Sequence, residues 1–271
     1  MTARTDTTTS ETDSPVLLRH DENGIATLTL NRPDKFNALS VALLTGLESE
    51  FEALSTDSSV RVVILEGNGK AFCAGHDLKE MRASPGRQSY EALFEQCGRV
   101  MLAITRIPQP VIARVHGTAT AAGCQLVATC DLAIAVEQAR FAVSGVNLGL
   151  FCSTPMVALT RNMPRKQAME MLLTGDFIDA ETALNYGLVN KVVRRDRLDE
   201  AVAELAEKIA GKSSAAIALG KQLFYRQLEA GMQAAYELAS ETMACNMLTE
   251  DAETGIDSFI NKQPLPPWKG R

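Results

Sequence analysis

Three observations on this 271-residue sequence predict an α/β fold. Short apolar runs typical of buried strands alternate with segments whose apolar residues lie three and four positions apart, as in amphipathic helices. The chain is long enough to bury a substantial core without disulfides. Its second half is mainly helical in pattern. We therefore predict a layered α/β core followed by a C-terminal helical region.

The segments of the chain differ in composition. Residues 1–14 are rich in Thr, Ser and Asp and contain no apolar run, so we expect a disordered tail there. We assign residues 15–200 to the α/β core and residues 201–271 to the helical region. No run approaches the roughly 18–20 consecutive apolar residues of a spanning helix, so we expect no membrane insertion.

Charge and cysteine usage exclude several classes of function. The 27 Lys and Arg against 33 Asp and Glu give a net charge of −6 without a basic run, so we expect no nucleic-acid partner. The six cysteines are scattered, with neither a C-x-x-C pair nor the His spacing of a zinc site. We therefore expect reduced thiols, no metal ion and a cytoplasmic location.

Each element of the first half has a local signal. Residues 16–19 and 25–30 are predicted strands, joined by a tight turn at Asn23-Gly24. Ser40 is placed to cap a helix that runs to about residue 54. Further strands are predicted at 61–66, 110–115 and 132–136, with helices at 89–104 and 121–129 between them.

The second half is predicted to be helical from residue 154 onward. Asp179 can cap a helix that ends near residue 184, and a short strand follows at 188–193. Amphipathic patterns then predict helices at 197–209, 214–246 and 249–261.

Several motifs occur in a fixed order along the chain. They are NRP at 31–33, NAL at 37–39, KAFCAGHDLKE at 70–80, PVIA at 110–113, Gly117, AGCQL at 122–126, CD at 130–131, LLTG at 172–175, Ala180, Ala183 and GLV at 187–189. Together they resemble the enoyl-CoA hydratase/isomerase family, the crotonase superfamily, from about residue 16 to the C-terminus.

The resemblance implies a fold and a mechanism. The fold is the ClpP/crotonase-like spiral of ββα units, assembled as a homotrimer or homohexamer. The activity is of lyase or isomerase type in fatty acid metabolism, without a cofactor, and coenzyme A is part of the acyl-CoA substrate. The family binds the thioester oxygen with two backbone N–H groups, which here belong to His76 and Ala122. The residues agree, because Gly75 permits a close approach and Ala122 begins a small-residue helix.

The sequence departs from the family at two catalytic positions. Hydratases of the family use two glutamates as acid and base, and these positions hold Gln125 and Gly145 here. A carboxamide does not exchange a proton near neutral pH, and glycine has no side chain. Losing one acid/base group costs about 10²–10⁴-fold in rate, so we expect no efficient hydration by the standard mechanism.

Two further side chains near the predicted site have alternative interpretations. His76 is either a titrating group beside the thioester or a loop histidine packed on the coenzyme A. Cys152 is either a nucleophile, since it lies close to the position of a nucleophilic Asp in dehalogenases of the superfamily, or a small buried apolar residue.

The resemblance also implies residues that bind coenzyme A. Arg32, Lys35 and Lys79 are basic residues of the first loops, and Phe259 and Lys262 reach the site from a neighbouring subunit. The loop that carries the N–H of His76 contributes three further residues to the expected coenzyme A site, Ala74, Asp77 and Leu78.

Other interpretations of these and nearby residues remain open. The alternative for Arg32 and Lys35 is that they are surface residues of a turn without a role in binding. Asp77 is expected to cap the helix that begins at Leu78, and Glu80 is expected to face solvent. We interpret His116 and Asp131 as structural.

Two functions follow from these observations. The first is an acyl-CoA-processing enzyme that stabilises a thioester enolate, which leaves open a modified hydratase or isomerase, a decarboxylase and a thioesterase-like reaction. The alternative is a catalytically degenerate subunit that binds acyl-CoA or assembles with active subunits.

Overall fold

Strands and helices alternate along the core as the hydrophobic pattern predicts. A computed structural model describes residues 14–271, so the predicted N-terminal tail, apart from Ser14, lies outside the described residues. The described chain forms ten strands: β1 (Leu17–Glu22), β2 (Ile25–Leu30), β3 (Val62–Gly67), β4 (Ala71–Cys73), β5 (Val111–Val115), β6 (Thr118–Thr120), β7 (Leu132–Val136), β8 (Arg140–Ala142), β9 (Ile178–Asp179) and β10 (Lys191–Val193).

The described part of the chain also contains eleven α-helices and three short 3-10 helices. The α-helices are α1 (Val41–Thr56), α2 (Leu78–Ala83), α3 (Arg87–Arg106), α4 (Ala122–Thr129), α5 (Ser153–Asn162), α6 (Arg165–Thr174), α7 (Ala180–Asn185), α8 (Leu198–Ala210), α9 (Ser214–Leu228), α10 (Met232–Met247) and α11 (Glu250–Ile260). Two predicted caps are confirmed: Ser40 accepts the N–H of Leu43 in α1, and Asp179 accepts that of Thr182 in α7.

The strands form two sheets. The larger has the order β1-β2-β3-β5-β7-β10, antiparallel only at the β1–β2 hairpin, where Asn23 and Gly24 take positive φ as a tight primed turn requires. The smaller has the order β4-β6-β8-β9. Consecutive strands alternate between the two sheets: β3, β5 and β7 lie in the larger sheet, and β4, β6 and β8, which follow them, lie in the smaller. After each such pair the chain continues into a helix. This is the predicted spiral of ββα units.

The core lies between the larger sheet and the helices that cover it. The residues of β3 and β5 are almost all buried, and α1 turns the apolar face Leu43, Leu44, Leu47, Phe51 and Leu54 toward the sheet. Burying each such side chain contributes about 1.5–3 kcal/mol. The rigid core holds the loops that follow β3, β4 and β6.

The C-terminal region differs from its prediction in two respects. The predicted boundary at residue 200 falls inside α8, which packs on β3, β5 and β7 and buries Leu198 and Val202. This helix therefore belongs with the core. The helix predicted at 214–246 is in fact two helices, α9 and α10, because the chain breaks at 229–231, where a glycine precedes α10.

Candidate functional site

Two segments that are distant in sequence meet at one end of the smaller sheet. One follows β4 and contains Ala74, and the other joins β6 to α4. Cys73 pairs with Ala119 across the two strands, and the Thr120 hydroxyl donates to the carbonyl oxygen of Ala74 at 3.0 Å. The fold thus brings together the two motifs that sequence analysis assigned to one site.

Gly75 is the point of closest approach between these segments. It has φ +89°, and a Cβ added there would lie 2.9 Å from the Cβ of Ala121 and 3.2 Å from the amide nitrogen of Ala122. A side chain has no room in this contact, and the backbone conformation favours glycine as well. The residue before His76 therefore packs directly against the start of α4.

The backbone N–H groups of His76 and Ala122 are free on either side of this contact. Leu39 donates to the oxygen of Gly75 at 2.8 Å and accepts from Asp77 at 3.1 Å, so this bridge uses the neighbours of His76 and leaves its own N–H unpaired. Ala122 is the first residue of α4, whose initial N–H groups have no intrahelical acceptor. Within residues 14–271 neither N–H has a hydrogen-bond partner. Two such donors suit a carbonyl oxygen that gains negative charge.

The His76 side chain is packed inside the protein. Its ring contacts Phe94 of α3 edge to face, with 5.5 Å between ring centroids. Both ring nitrogens are buried and have no partner among residues 14–271. Burial lowers the pKa of His76 to about 4, so the ring is neutral at physiological pH. The neutral ring argues against a group that titrates near neutrality, and the ring packs on Phe94 of the same chain.

The two positions at which the resemblance leads us to expect glutamates, 125 and 145, both hold uncharged residues. Gln125 lies one turn after Ala122 on α4 and is 4% exposed, and its Oε1 is buried without a partner in the described chain. Gly145 is the one buried residue of a 3-10 turn, Ser144–Leu148. A Cβ added there would lie 2.3 Å from the oxygen of Leu150 and 2.8 Å from the Cys152 sulfur. No larger residue fits at 145 unless this turn moves.

Cys152 precedes α5 and is buried next to Gly145. Burial raises the pKa of its thiol, and a thiolate is the reactive form. The geometry favours the small buried apolar residue over the nucleophile. Burial likewise raises the pKa of Cys73 and Cys124 to about 12.

The residues predicted to bind coenzyme A divide into two groups. Arg32 and Asp77 form an ion pair at 2.9 Å, and the Asp77 side chain also accepts the N–H groups of Lys79 and Glu80 at the start of α2. Burial works to raise the pKa of Asp77, but Arg32 and the helix N–H groups together hold it below its ordinary value. These two residues therefore hold the loop in place.

The remaining loop residues stay open to solvent. Lys35, Ala74, Leu78 and Lys79 are exposed, so the two lysines are free to meet a phosphate. Glu80 is exposed as expected, and its carboxylate also accepts the N–H of Val41 at the start of α1.

Phe259 and Lys262 lie elsewhere in the chain. Phe259 is in the last turn of α11 and Lys262 lies two residues beyond the end of this helix, whose main contacts are with α9 and α10. Phe259 is 83% exposed. Neither of the main contacts of α11 is with α2 or α4, the helices that begin beside His76 and Ala122.

Sequence reasoning assigned no role to Asn37, which organises the first loop. It is fully buried, its Nδ2 donates to the oxygens of Asn68 and Ala71 at 2.8 Å, and its Oδ1 accepts the N–H of Arg32 at 2.9 Å. Its presence in the NAL motif was the available signal, since asparagine is seldom fully buried unless its polar groups are paired.

The structural interpretation of two other polar residues is confirmed. His116 lies with its Nε2 3.0 Å from the oxygen of Gly69. Asp131 accepts hydrogen bonds from the N–H of Val111, from Lys221 and from Tyr225. Both residues join elements of the core.

Comparisons with known proteins show the family of this chain. A family model described as enoyl-CoA hydratase/isomerase matches residues 20–271. The chain is 44% identical to rat "enoyl-CoA hydratase domain-containing protein 3, mitochondrial", over 95% of this chain and 86% of that protein. It is 36% identical to the 2,3-dehydroadipyl-CoA hydratase of Escherichia coli K12, over 90% and 94% of the two chains.

Solved structures show the same fold. A crystal structure of an enoyl-CoA hydratase from Mycobacterium smegmatis superposes with a TM-score of 0.92 at 58% identity, covering 94% of this chain and 99% of that one. Human enoyl-CoA hydratase domain-containing protein 3 superposes with a TM-score of 0.90 at 43% identity, covering 93% and 99%.

The comparisons correct one expectation from the sequence. The vertebrate relatives are named mitochondrial, which contradicts the cytoplasmic location inferred from the cysteines. Reduced thiols persist in any reducing compartment, so cysteine usage could not identify which one.

Two features are absent from the described residues. Between residues 14 and 271, no helix is long and apolar enough to cross a membrane. Over the same residues, no group of three or more His, Cys, Asp and Glu side chains is arranged to hold a metal ion.

Proposed function

This chain belongs to the enoyl-CoA hydratase/isomerase family, whose members act on acyl-CoA thioesters, and we propose that it is an enzyme that stabilises a thioester enolate. The thioester oxygen accepts hydrogen bonds from the N–H groups of His76 and Ala122. Negative charge that moves onto this oxygen during the reaction then meets two fixed donors.

The observation that carries the proposal is the pair of unpartnered N–H groups in segments that touch at Gly75. Donors already held in place need no reorganisation when the charge develops, and removing one such donor typically costs about 10²–10³-fold in rate. The positive end of α4 at Ala122 adds to the stabilisation.

The chemistry that follows enolate formation differs from ordinary hydration. Gln125 and Gly145 supply no carboxyl group to activate water or deliver a proton. The proposal therefore covers a modified hydratase or isomerase, a decarboxylase or a thioesterase-like enzyme, and excludes efficient hydration by two glutamates.

Binding of the coenzyme A portion completes the proposal. Lys35 and Lys79, which are exposed, bind the phosphate groups of coenzyme A in this proposal. Phe259 and Lys262 act on the site of a neighbouring subunit in a homotrimer or homohexamer. Their exposure at the end of α11 agrees with this role.

One observation favours a second candidate function. The turn around Gly145 leaves no room for a side chain, so this site is not one substitution away from a hydratase. A catalytically degenerate subunit that binds acyl-CoA, or that assembles with active subunits, accounts for such a turn equally well.

Turnover and binding separate the two candidates. The purified protein is incubated with crotonyl-CoA and with 3-enoyl, malonyl-type and aryl CoA esters, and product is followed by mass spectrometry while binding is followed by calorimetry. Turnover of one class supports the enzyme. Binding without turnover of any ester supports the degenerate subunit, and hydration of crotonyl-CoA at an ordinary enzymatic rate would show that the argument from the missing glutamates is wrong.

Two single substitutions, one of them a control, test the proposed pair of N–H donors at His76 and Ala122. Gly75→Ala places a methyl 3.2 Å from the nitrogen of Ala122 and should weaken both ester binding and turnover. Gly187→Ala also adds a methyl at positive φ, 3.1 Å from the oxygen of Asn162, but lies after α7. It should lower stability similarly and leave ester binding intact.

A further inference from the structure

Ala121 has a backbone conformation that is strained for a residue with a side chain. Its φ is 48° and its ψ is −119°. Residues with a Cβ are excluded from this region by contacts with their own backbone, whereas glycine enters it freely. Strain of this kind persists only where the surrounding structure determines the conformation, and it concentrates at functional sites.

Contacts on both sides hold Ala121 in place. Its N–H donates to the oxygen of Ala142 in β8 at 2.9 Å, and its own oxygen accepts the N–H of Gln125 at 3.0 Å. The preceding residue, Thr120, pairs with Ala142 in the smaller sheet. The strained residue therefore joins a paired strand to a hydrogen-bonded helix.

The direction of the Ala122 N–H follows from this conformation. A peptide group is planar, so the ψ of Ala121 turns the peptide that carries the Ala122 N–H as one unit. A relaxed ψ at Ala121 would turn that N–H to a different direction. The strain thus maintains the aim of one of the two free donors.

The methyl group of Ala121 contacts the segment that carries the other donor. A Cβ added to Gly75 would lie 2.9 Å from the Cβ of Ala121, so the methyl already fills the space above Gly75. The Thr120 hydroxyl draws the same segment closer through the oxygen of Ala74. The hydrogen bond from Thr120 holds the two segments together, and the Ala121 methyl limits how closely they approach.

We propose that Ala121 is a positioning residue: its strained backbone aims the N–H of Ala122, and its methyl sets the spacing to the segment that carries the N–H of His76. Glycine would remove the strain and the spacer together. The inference rests on the proposed function, because it requires a carbonyl oxygen between the two donors.

The test is the substitution Ala121→Gly. Two measurements on this variant should show that the protein becomes more stable and that it binds the carbonyl group less well. Thermal unfolding should occur about 2–4 °C higher, because glycine accepts the observed φ and ψ without strain. The probe is a ¹³C-carbonyl dethia analogue of butyryl-CoA, a ketone that resists hydrolysis. Its bound carbonyl stretch should move to lower wavenumber in the unsubstituted protein and move less in the variant, with a Kd about fivefold higher.

The matched control is Ala128→Gly, at the far end of α4. It should lower the unfolding temperature, as glycine does inside a helix, and leave the carbonyl shift unchanged. A purely structural role for Ala121 would change stability and leave the carbonyl shift intact.

The outcomes separate the two proposals. An equal carbonyl shift in Ala121→Gly and the unsubstituted protein overturns the positioning role and leaves the proposed function standing. A lower unfolding temperature for Ala121→Gly overturns the inference that the backbone of Ala121 is strained. No binding of the analogue, or no carbonyl shift in the unsubstituted protein, overturns the proposed function and the positioning role with it.

Discussion

At Gly145 the packing of the backbone leaves no room for a side chain, and therefore none for a carboxylate. The place of this glycine in the turn is set by the oxygen of Leu150 and the sulfur of Cys152, which would both touch an added Cβ. Leu150 also donates its N–H to the oxygen of Gly145 at 3.0 Å, so the turn is closed by its own hydrogen bond. The absence of a carboxylate is thus built into the backbone of this turn.

Gly145→Ala should therefore lower the free energy of unfolding by about 1–3 kcal/mol, the usual cost of overpacking. Urea unfolding measures the change. Gly98→Ala, in α3, adds the same methyl where no atom lies within 4 Å and should raise stability by about 0.5–1 kcal/mol. Equal effects of the two substitutions would contradict the contact at Leu150.

His76 links burial at the site to pH. Its folded pKa of about 4 lies below the ordinary value of 6.5, so the unfolded chain binds more protons between these values. The contribution to stability is complete above about pH 6.5 and is lost as the pH falls toward 4. Its size is on the order of 3 kcal/mol.

His76→Gln should flatten this pH dependence. The free energy of unfolding of the unsubstituted protein is measured between pH 4.5 and 7.0 and compared with that of the variant. The pKa of His116 is also lowered by burial, but this residue is present in both proteins and cancels in the difference. Parallel curves would mean that His76 is not buried in its neutral form.

At the scale of elements, one buried cluster attaches α9 to the core. The ammonium of Lys221 donates to Asp131 at 2.6 Å and to the oxygens of Ile104 and Gln109 at 2.8 Å. Burial lowers the pKa of Lys221, and the Asp131 charge opposes this shift. Every donor of the ammonium is paired, which is the condition for a stable buried ion pair.

Lys221→Met should lower the free energy of unfolding by about 3–5 kcal/mol, because the Asp131 carboxylate loses its cation inside the protein. Chemical denaturation gives the value. Lys208→Met, on the exposed face of α8, should change stability by less than about 0.5 kcal/mol. A small effect at Lys221 would mean that water replaces the ammonium and that α9 is held mainly by apolar packing.

At the scale of the whole molecule, the C-terminal helices leave large apolar side chains uncovered. Met232 is 79%, Tyr236 71% and Leu248 88% exposed, and no residue of α10 is fully buried. An amphipathic helix with an uncovered apolar face usually meets another surface. This exposure agrees with the proposed assembly of three or six chains.

Light scattering after size exclusion should give a mass of three or six chains for the unsubstituted protein. Tyr236→Glu combined with Leu248→Glu should lower that mass, because each carboxylate would be buried without a partner in the assembly. Lys191→Glu, exposed on β10, should leave it unchanged. A monomeric unsubstituted protein would refute the assembly and the role of Phe259 across subunits.

Local signals were sufficient for the longer elements. The Asn23-Gly24 turn, the Ser40 cap and the apolar runs of β3, β5 and β7 are each properties of neighbouring residues. The strands β4, β6 and β8 were missed because three residues are too few to show a period. They extend only because each pairs with a neighbour from a distant part of the chain.

The order of residues was enough to identify the family and the ββα spiral. Folding alone decided that Arg32 pairs with Asp77, that Gly145 has no room for a side chain and that Ala121 is strained between two free donors. The reason is physical: spacing along a chain reports local periodicity, whereas the direction of an N–H and the space above a glycine depend on segments that meet only in the folded protein.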